Sequence, residues 1–281
     1  MNTFFYHIKL IRPLNVLISG LAMVIASSIL HKNQIEWNIA LLTATIVMCY
    51  TAAANALNDA IDYKIDLINK PTRPIPMGHV QIKTAIMISF ILFCLGAFLC
   101  MQLSDTTKMI GIIIAIPLMV VYSTFLKGKP LIGNITIAFT LGISFLFCGS
   151  AHQNMGPMWI PMILAFGLTL IRELVKDIAD IEGDRSVGIS TFPIVAGIDR
   201  SIHLTILLAL LLGFGSILPY WSGAYGFYYL TLLILGVEIP LAVVVFLFLN
   251  NPGIISATKG ARILKFSTLM GLIAIYAGTN T

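Results

Sequence analysis

The sequence predicts an all-α, multi-pass membrane protein with nine transmembrane helices, and three observations carry that prediction. Hydrophobic side chains make up 58% of the 281 residues and charged ones only 10%, where soluble domains carry about 25% charged. Nine apolar stretches each have the roughly 20 residues that cross a hydrocarbon core about 30 Å thick. Laying those stretches across a membrane puts almost all the basic residues on one side. This composition excludes a disordered chain, a collagen-like chain and an ordinary cytosolic enzyme. The net charge is +5, but where the charges lie matters more than their sum, and no nucleic-acid partner is expected.

The nine stretches cover approximately residues 13–30, 37–57, 82–103, 109–126, 131–151, 157–176, 201–219, 225–249 and 261–279. Pro117, Pro161 and Pro240 fall inside them, which membrane helices tolerate. With the N-terminus in the cytoplasm, the inside segments hold fifteen basic residues, among them Lys9, Arg12, Lys64, Lys70, Arg73, Lys127, Lys129, Arg172 and Arg262. The outside loops hold two, Lys32 and Lys108. A count of eight or ten spans would scatter these charges over both faces. The first span is longer than a signal-peptide core and lacks a cleavage site, so it is read as retained. The expected unit is a single membrane domain over residues 1–281, in the cell membrane.

Cys49, Cys94, Cys100 and Cys148 lie singly in apolar spans without CxxC spacing and read as buried hydrophobes. The five histidines form no HExxH motif, so zinc is not expected. Asn134-Ile-Thr136 matches a glycosylation sequon but falls on the inner side and is read as chance. Glu238, just before Pro240, is the one acid deep in a span. It is either a functional group in an internal chamber or a neutral acid bonded to a neighbouring helix.

Nine of the twelve acids fall on the predicted cytoplasmic side, most of them at the ends of spans two and six. In the first cluster, Asp59, Asp62 and Asp66 are spaced three and four apart and share one helix face, with Asn58 one position round. In the second, Glu173, Asp177, Asp180 and Asp184 step by four, three and four, again along one face. Two like charges about 6 Å apart repel by roughly 3 kcal/mol at an effective dielectric of 20, so such faces need countercharge or protons. Oxygen donors without His or Cys favour Mg²⁺ or Ca²⁺. Mg²⁺ in particular is held by one or two carboxylates plus substrate phosphates.

A stiff, turn-rich loop follows each cluster: Asn69-Lys70-Pro71-Thr72-Arg73-Pro74-Ile75-Pro76-Met77-Gly78 after the first, and Gly188-Ile189-Ser190-Thr191-Phe192-Pro193 after the second. Lys70 and Arg73 supply fixed positive charge, and Arg73 can grip phosphate oxygens in bidentate fashion. Lys127 and Lys129 follow Tyr122 at the end of span four, and Arg12 begins span one. These three cations read equally as ligand contacts or as interfacial anchors. The layout suggests a duplication, two four-helix halves plus a ninth helix.

At these residues the chain resembles the UbiA superfamily of membrane prenyltransferases. The resemblance covers nearly the whole length: nine spans, Asn58-Asp59-x-x-Asp62-x-x-x-Asp66, and the second acidic motif through Asp184. Asn69-x-Pro71-x-Arg73-Pro74-Ile75-Pro76-x-Gly78 is similar to a branch containing digeranylgeranylglyceryl phosphate, chlorophyll and homogentisate-type enzymes, and the run Arg172–Arg185 with Arg12-Pro13-Leu14-Asn15 looks most like the first of these. Ser190-Thr191-Phe192-Pro193 stands where that pattern has Thr-Leu-Pro.

The resemblance implies that Asn58, Asp62 and Asp66, together with Asp177, Asp180 and Asp184, hold Mg²⁺ on a prenyl diphosphate, with Asp59 in the same motif. It makes Asp62, Asp66, Asp177, Asp180 and Asp184 the catalytic set. Arg73, Lys127 and Lys129 would meet the diphosphate or an acceptor phosphate, joined in substrate binding by Arg12, Asn58, Lys70 and Tyr122. Tyr63, Tyr122 and Phe125 are candidates to shield an allylic cation. The implied partners are a prenyl diphosphate, a lipid-like acceptor and membrane lipids, with no obligate protein partner.

The implied reaction moves a geranylgeranyl group from its diphosphate to geranylgeranylglyceryl phosphate, in ether-lipid synthesis. Two alternatives stand beside it: prenylation of an aromatic or tetrapyrrole acceptor, and a cation-coupled secondary transporter.

Overall fold

The computed structural model describes residues 3–30 and 35–279; Lys32 lies outside the described residues. The described residues are helical, with no strand among them. Nine of the helices are long and apolar enough to cross a membrane, as the sequence predicts. A short helix α1 (Thr3–Ile11) precedes α2 (Pro13–Leu30), and α3 (Trp37–Ile61) is followed by the short α4 (Tyr63–Asn69). Then come α5 (Ile82–Cys100), α6 (Asp105–Leu126), α7 (Ile132–Ala151) and α8 (Gly156–Ala179). Two short helices, α9 (Ile181–Ser186) and α10 (Phe192–Ala196), lead into α11 (Ile198–Trp221), α12 (Phe227–Asn250) and α13 (Ile254–Thr279). The last span begins seven residues before its predicted start, because its first turns carry Lys259 and read as loop.

Contacts divide the chain into two compact units. One is Met1–Lys127 with Leu146–Gly156; the other is Gly128–Phe145 with Pro157–Thr281. The predicted halves are thus recognisable, but the division falls inside the fifth span, α7, rather than before it.

In the first unit α3 is the central helix, packed on α2, α5 and α1. Its alanines (Ala52, Ala53, Ala56, Ala60) are buried, and small residues are what let helix backbones approach in a membrane. A Cβ at Gly96 of α5 would lie 2.5 Å from the Tyr50 ring, so that glycine sets the α3–α5 spacing. Helix α1 turns Tyr6 and Leu10 into a cluster with Ala56, Ala60, Ile75 and Val80, while Phe4 and Phe5 stay exposed. At the far end of the same unit, Ser27 Oγ lies 2.9 Å from His152 Nε2 and 3.4 Å from Cys148 Sγ. Cys49, Cys100 and Cys148 are buried as expected, whereas Cys94 is exposed on the outward face of α5.

In the second unit α13 packs on α8 and α12, and α8 on α11. The ninth span is therefore built into its unit. Gly278 of α13 is its tightest point: a Cβ there would sit 2.3 Å from Tyr229 Cβ, and its carbonyl accepts from Gly226 N–H at 3.0 Å. Gly278→Ala is expected to cost about 1–3 kcal/mol by overpacking, read as a lower thermal midpoint in detergent; an unchanged midpoint would contradict this packing.

Wider π-helical turns precede two of the mid-span prolines, at Met109–Ala115 before Pro117 and at Ile234–Glu238 before Pro240. A missing proline N–H breaks the i→i−4 ladder, and such bulges accommodate the break. At the second bulge Glu238 Oε1 accepts from Ser216 Oγ at 2.7 Å. The intramembrane acid is thus bonded to a neighbouring helix, one of the two readings expected for it.

Candidate active site

Both acidic clusters sit where a membrane-spanning helix ends, and each unit builds its end the same way. Asp62 (φ −75°, ψ 2°) joins α3 to α4, and Asp180 (φ −94°, ψ 3°) joins α8 to α9. These angles belong to the bridge region, which regular helix avoids and active-site residues often occupy. The hydrogen-bond ladder nevertheless runs through both joints. Asp62 N–H donates to Asn58 O at 2.9 Å and Asp66 N–H to Asp62 O at 2.8 Å. Asp180 N–H donates to Lys176 O at 2.9 Å and Asp184 N–H to Asp180 O at 3.0 Å. The three aspartates of each motif therefore stay on a nearly common face across a slight bend. Each following loop turns on a glycine at φ +75°, Gly78 and Gly188.

In the first unit Asp59, Asp62 and Asp66 are all buried and all paired. Arg12 and Arg73 both donate to Asp59 Oδ1, the latter at 3.0 Å. Arg73 Nη1 reaches Asp66 Oδ2 at 2.5 Å, and Lys127 Nζ donates to Asp62 Oδ2. Burial raises the Asp66 pKa, with Arg73 opposing the shift. Arg73 is held by a compact loop, since Ile75 and Val80 anchor in the α1 cluster and Lys9 Nζ donates to Thr72 O at 3.2 Å. Arg12 occupies the joint between α1 and α2 at φ 56°, a left-handed conformation that is costly for a non-glycine residue and found where the surroundings enforce it.

The second unit is arranged differently. Asp177 Oδ2 accepts from Asn134 Nδ2 at 2.7 Å. Arg172 and Lys176 both pair with Glu173, each at 2.9 Å. Asp180 is exposed and Asp184 half-buried. Glu173, counted from sequence as part of the acidic face, is thus matched by two cations of its own.

Among the remaining predicted residues, Lys70 and Lys129 are exposed and Tyr122 is half-buried. Tyr63 packs on the α1 cluster and Phe125 is exposed, so Tyr63 serves packing. Two residues escaped the sequence reading. Asn55 is buried, accepts from Arg12 at 3.4 Å and donates to Ile11 O at 3.0 Å; its position four before Asp59 was the available signal. Asn134 reads from sequence only as part of a chance sequon. The joint before α7 repeats the one before α2: Leu131 has φ 60° where Arg12 has φ 56°, and Asn134 follows Leu131 by three residues as Asn15 follows Arg12.

Among the described residues no group of three His, Cys, Asp or Glu side chains could by itself hold a metal ion. The donor set still fits Mg²⁺. Every donor is a hard oxygen, and Asn58 Oδ1 is buried without a hydrogen-bond partner among the described residues. Mg²⁺ asks for one or two carboxylates per ion, with phosphate and water completing the shell.

These features define a membrane enzyme with an acidic helix end in each unit, and comparison with known proteins places it: residues 16–267 match the UbiA prenyltransferase family, to which the chain belongs. A digeranylgeranylglyceryl phosphate synthase from Methanopyrus kandleri is 32% identical over 274 residues, covering 96% of this chain and 98% of its own. A solved structure of digeranylgeranylglyceryl phosphate synthase in membranes superposes with a TM-score of 0.83 at 30% identity, covering 100% of this chain and 99% of its own. A UbiA homolog from Archaeoglobus fulgidus, solved bound to GPP and Mg²⁺, shares the fold at TM-score 0.69 and 14% identity, over 96% of this chain and 99% of its own.

Proposed function

We propose that the chain, acting as one domain over residues 1–281, transfers a geranylgeranyl group from its diphosphate to geranylgeranylglyceryl phosphate. What carries this reading is the pair of similarly bent acidic ends, Asn58/Asp59/Asp62/Asp66 and Asp177/Asp180/Asp184, in a member of a prenyltransferase family whose near-full-length relatives bear the synthase name. Each end supplies residues that would hold Mg²⁺ for the prenyl diphosphate. Bound Mg²⁺ supplies neutralisation of the charge that grows on the diphosphate as it leaves. Arg73 and Lys127, with Lys70, Lys129 and Arg12, bind diphosphate or acceptor-phosphate oxygens, and Tyr122 lines the same end. The C1–O bond of the prenyl diphosphate breaks with its electron pair going to the diphosphate. The glycerol hydroxyl oxygen bonds to C1 and gives up its proton to a nearby base or to the departing diphosphate. The apolar spans house the prenyl tail away from water, which would otherwise intercept the allylic cation. The N-terminus and both acidic ends face the cytoplasm, in keeping with the basic residues of those segments.

Purified protein is to be incubated with geranylgeranyl diphosphate, Mg²⁺ and each acceptor in turn. The expected product is the doubly alkylated glyceryl phosphate, and product formed only with hydroxybenzoate or chlorophyllide would overturn the acceptor assignment. Chelating the metal with EDTA is expected to stop turnover, and adding Mg²⁺ back to restore it. Turnover that persists in EDTA would contradict the metal's role. Uptake into proteoliposomes without diphosphate release would favour a carrier.

A further inference from the structure

The first acidic end has as many cations as carboxylates. Arg12, Arg73 and Lys127 arrive from three separate places in the chain: the joint before α2, the loop after α4 and the end of α6. They pair with Asp59, Asp62 and Asp66. The carboxylate side chains are 2–7% exposed and the cations 19–33%, so the cations lie outermost. They hold oxygens of all three aspartates, which a divalent ion would need. Arg73 Nη1 alone serves Asp59 and Asp66. The partners seen at the second acidic end are of another kind. Its Asp177 is held by the neutral amide of Asn134, and Arg172 and Lys176 are engaged with Glu173.

We propose that Arg12, Arg73 and Lys127 are exchangeable caps on the first acidic end. A divalent ion gains those carboxylates only as a diphosphate arrives to take the caps. This rests on the reading that this end holds metal for a prenyl diphosphate. Metal entering alone would leave displaced, partly buried cations beside a dication, an arrangement that like-charge repulsion opposes. A diphosphate removes that conflict, because its oxygens accept the same N–H donors, from arginine in bidentate form. Metal and diphosphate therefore bind with positive cooperativity, and by linkage each favours the other equally.

Loss of a cap is expected to tighten the binding of metal alone. The full-length protein is titrated with Mn²⁺, following the EPR signal of the free ion, with and without inorganic pyrophosphate. Lys127→Gln and Arg12→Gln are expected to bind Mn²⁺ alone about tenfold more tightly than wild type, and Mn²⁺ with pyrophosphate about tenfold more weakly, a coupling of ordinary allosteric size. A variant that merely loosened the fold would weaken both, and Lys127→Arg, which keeps a cationic cap, should bind Mn²⁺ alone more weakly than Lys127→Gln. Equal Mn²⁺ affinity in wild type and both glutamine variants would overturn the cap exchange while leaving the diphosphate reading intact. Wild type that binds no Mn²⁺–pyrophosphate would instead overturn that underlying reading, and the proposal with it.

Discussion

Asp62→Ala and Asp180→Ala are each expected to abolish Mg²⁺-dependent prenyl transfer, lowering turnover by about a thousandfold or more, the scale on which electrostatic stabilisation of a leaving charge operates. Each residue occupies the bridge-region joint at which its own spanning helix passes into a short one. Each is also the middle member of its motif. The fold should survive either change. Asp180 is exposed, and the partner Asp62 would leave behind, Lys127, is one-third exposed and can turn to water. Monodisperse protein of native helicity without turnover is the expected outcome. Wild-type turnover in either variant would contradict the assignment.

Arg73→Ala should damage the fold itself. This guanidinium links Asp59 and Asp66, side chains only 2% and 3% exposed, and removing one partner of a buried ion pair costs about 3–5 kcal/mol because the remaining charge is stranded. Arg73→Lys should recover part of that loss, because both bonds come from the single Nη1 and an ammonium can likewise donate to two carboxylates. Equilibrium unfolding in mixed micelles reads the difference. An Arg73→Ala protein as stable as wild type would show that Asp66 finds countercharge elsewhere, since Asp59 keeps Arg12.

How much of this was legible in the sequence follows from the range of each interaction. The spans were readable because crossing a bilayer is set by the run of apolar residues, a local property. The acidic faces were readable because three- and four-residue spacing places side chains together on any helix. The caps were not, since Arg12 meets Asp59 across 47 positions and Lys127 meets Asp62 across 65. From sequence, Arg12 and Lys127 were as well explained as interfacial anchors. Asn134 was hidden for the same reason, its partner Asp177 being 43 residues on. Helix α1 was missed because nine residues are too few to cross the membrane, and only its docking of Tyr6 and Leu10 marks it as part of the core. The division inside α7 leaves no trace in composition, because that helix is apolar throughout.

Whether the two acidic helix ends act on one diphosphate is tested most directly by anomalous diffraction from crystals grown with Mn²⁺ and geranylgeranyl thiolodiphosphate. The expected map shows metal ligated by carboxylates of both the Asp62 and Asp180 motifs, with every ion touching the same diphosphate. Metal confined to one motif, with the diphosphate bound away from the other, would contradict the central claim.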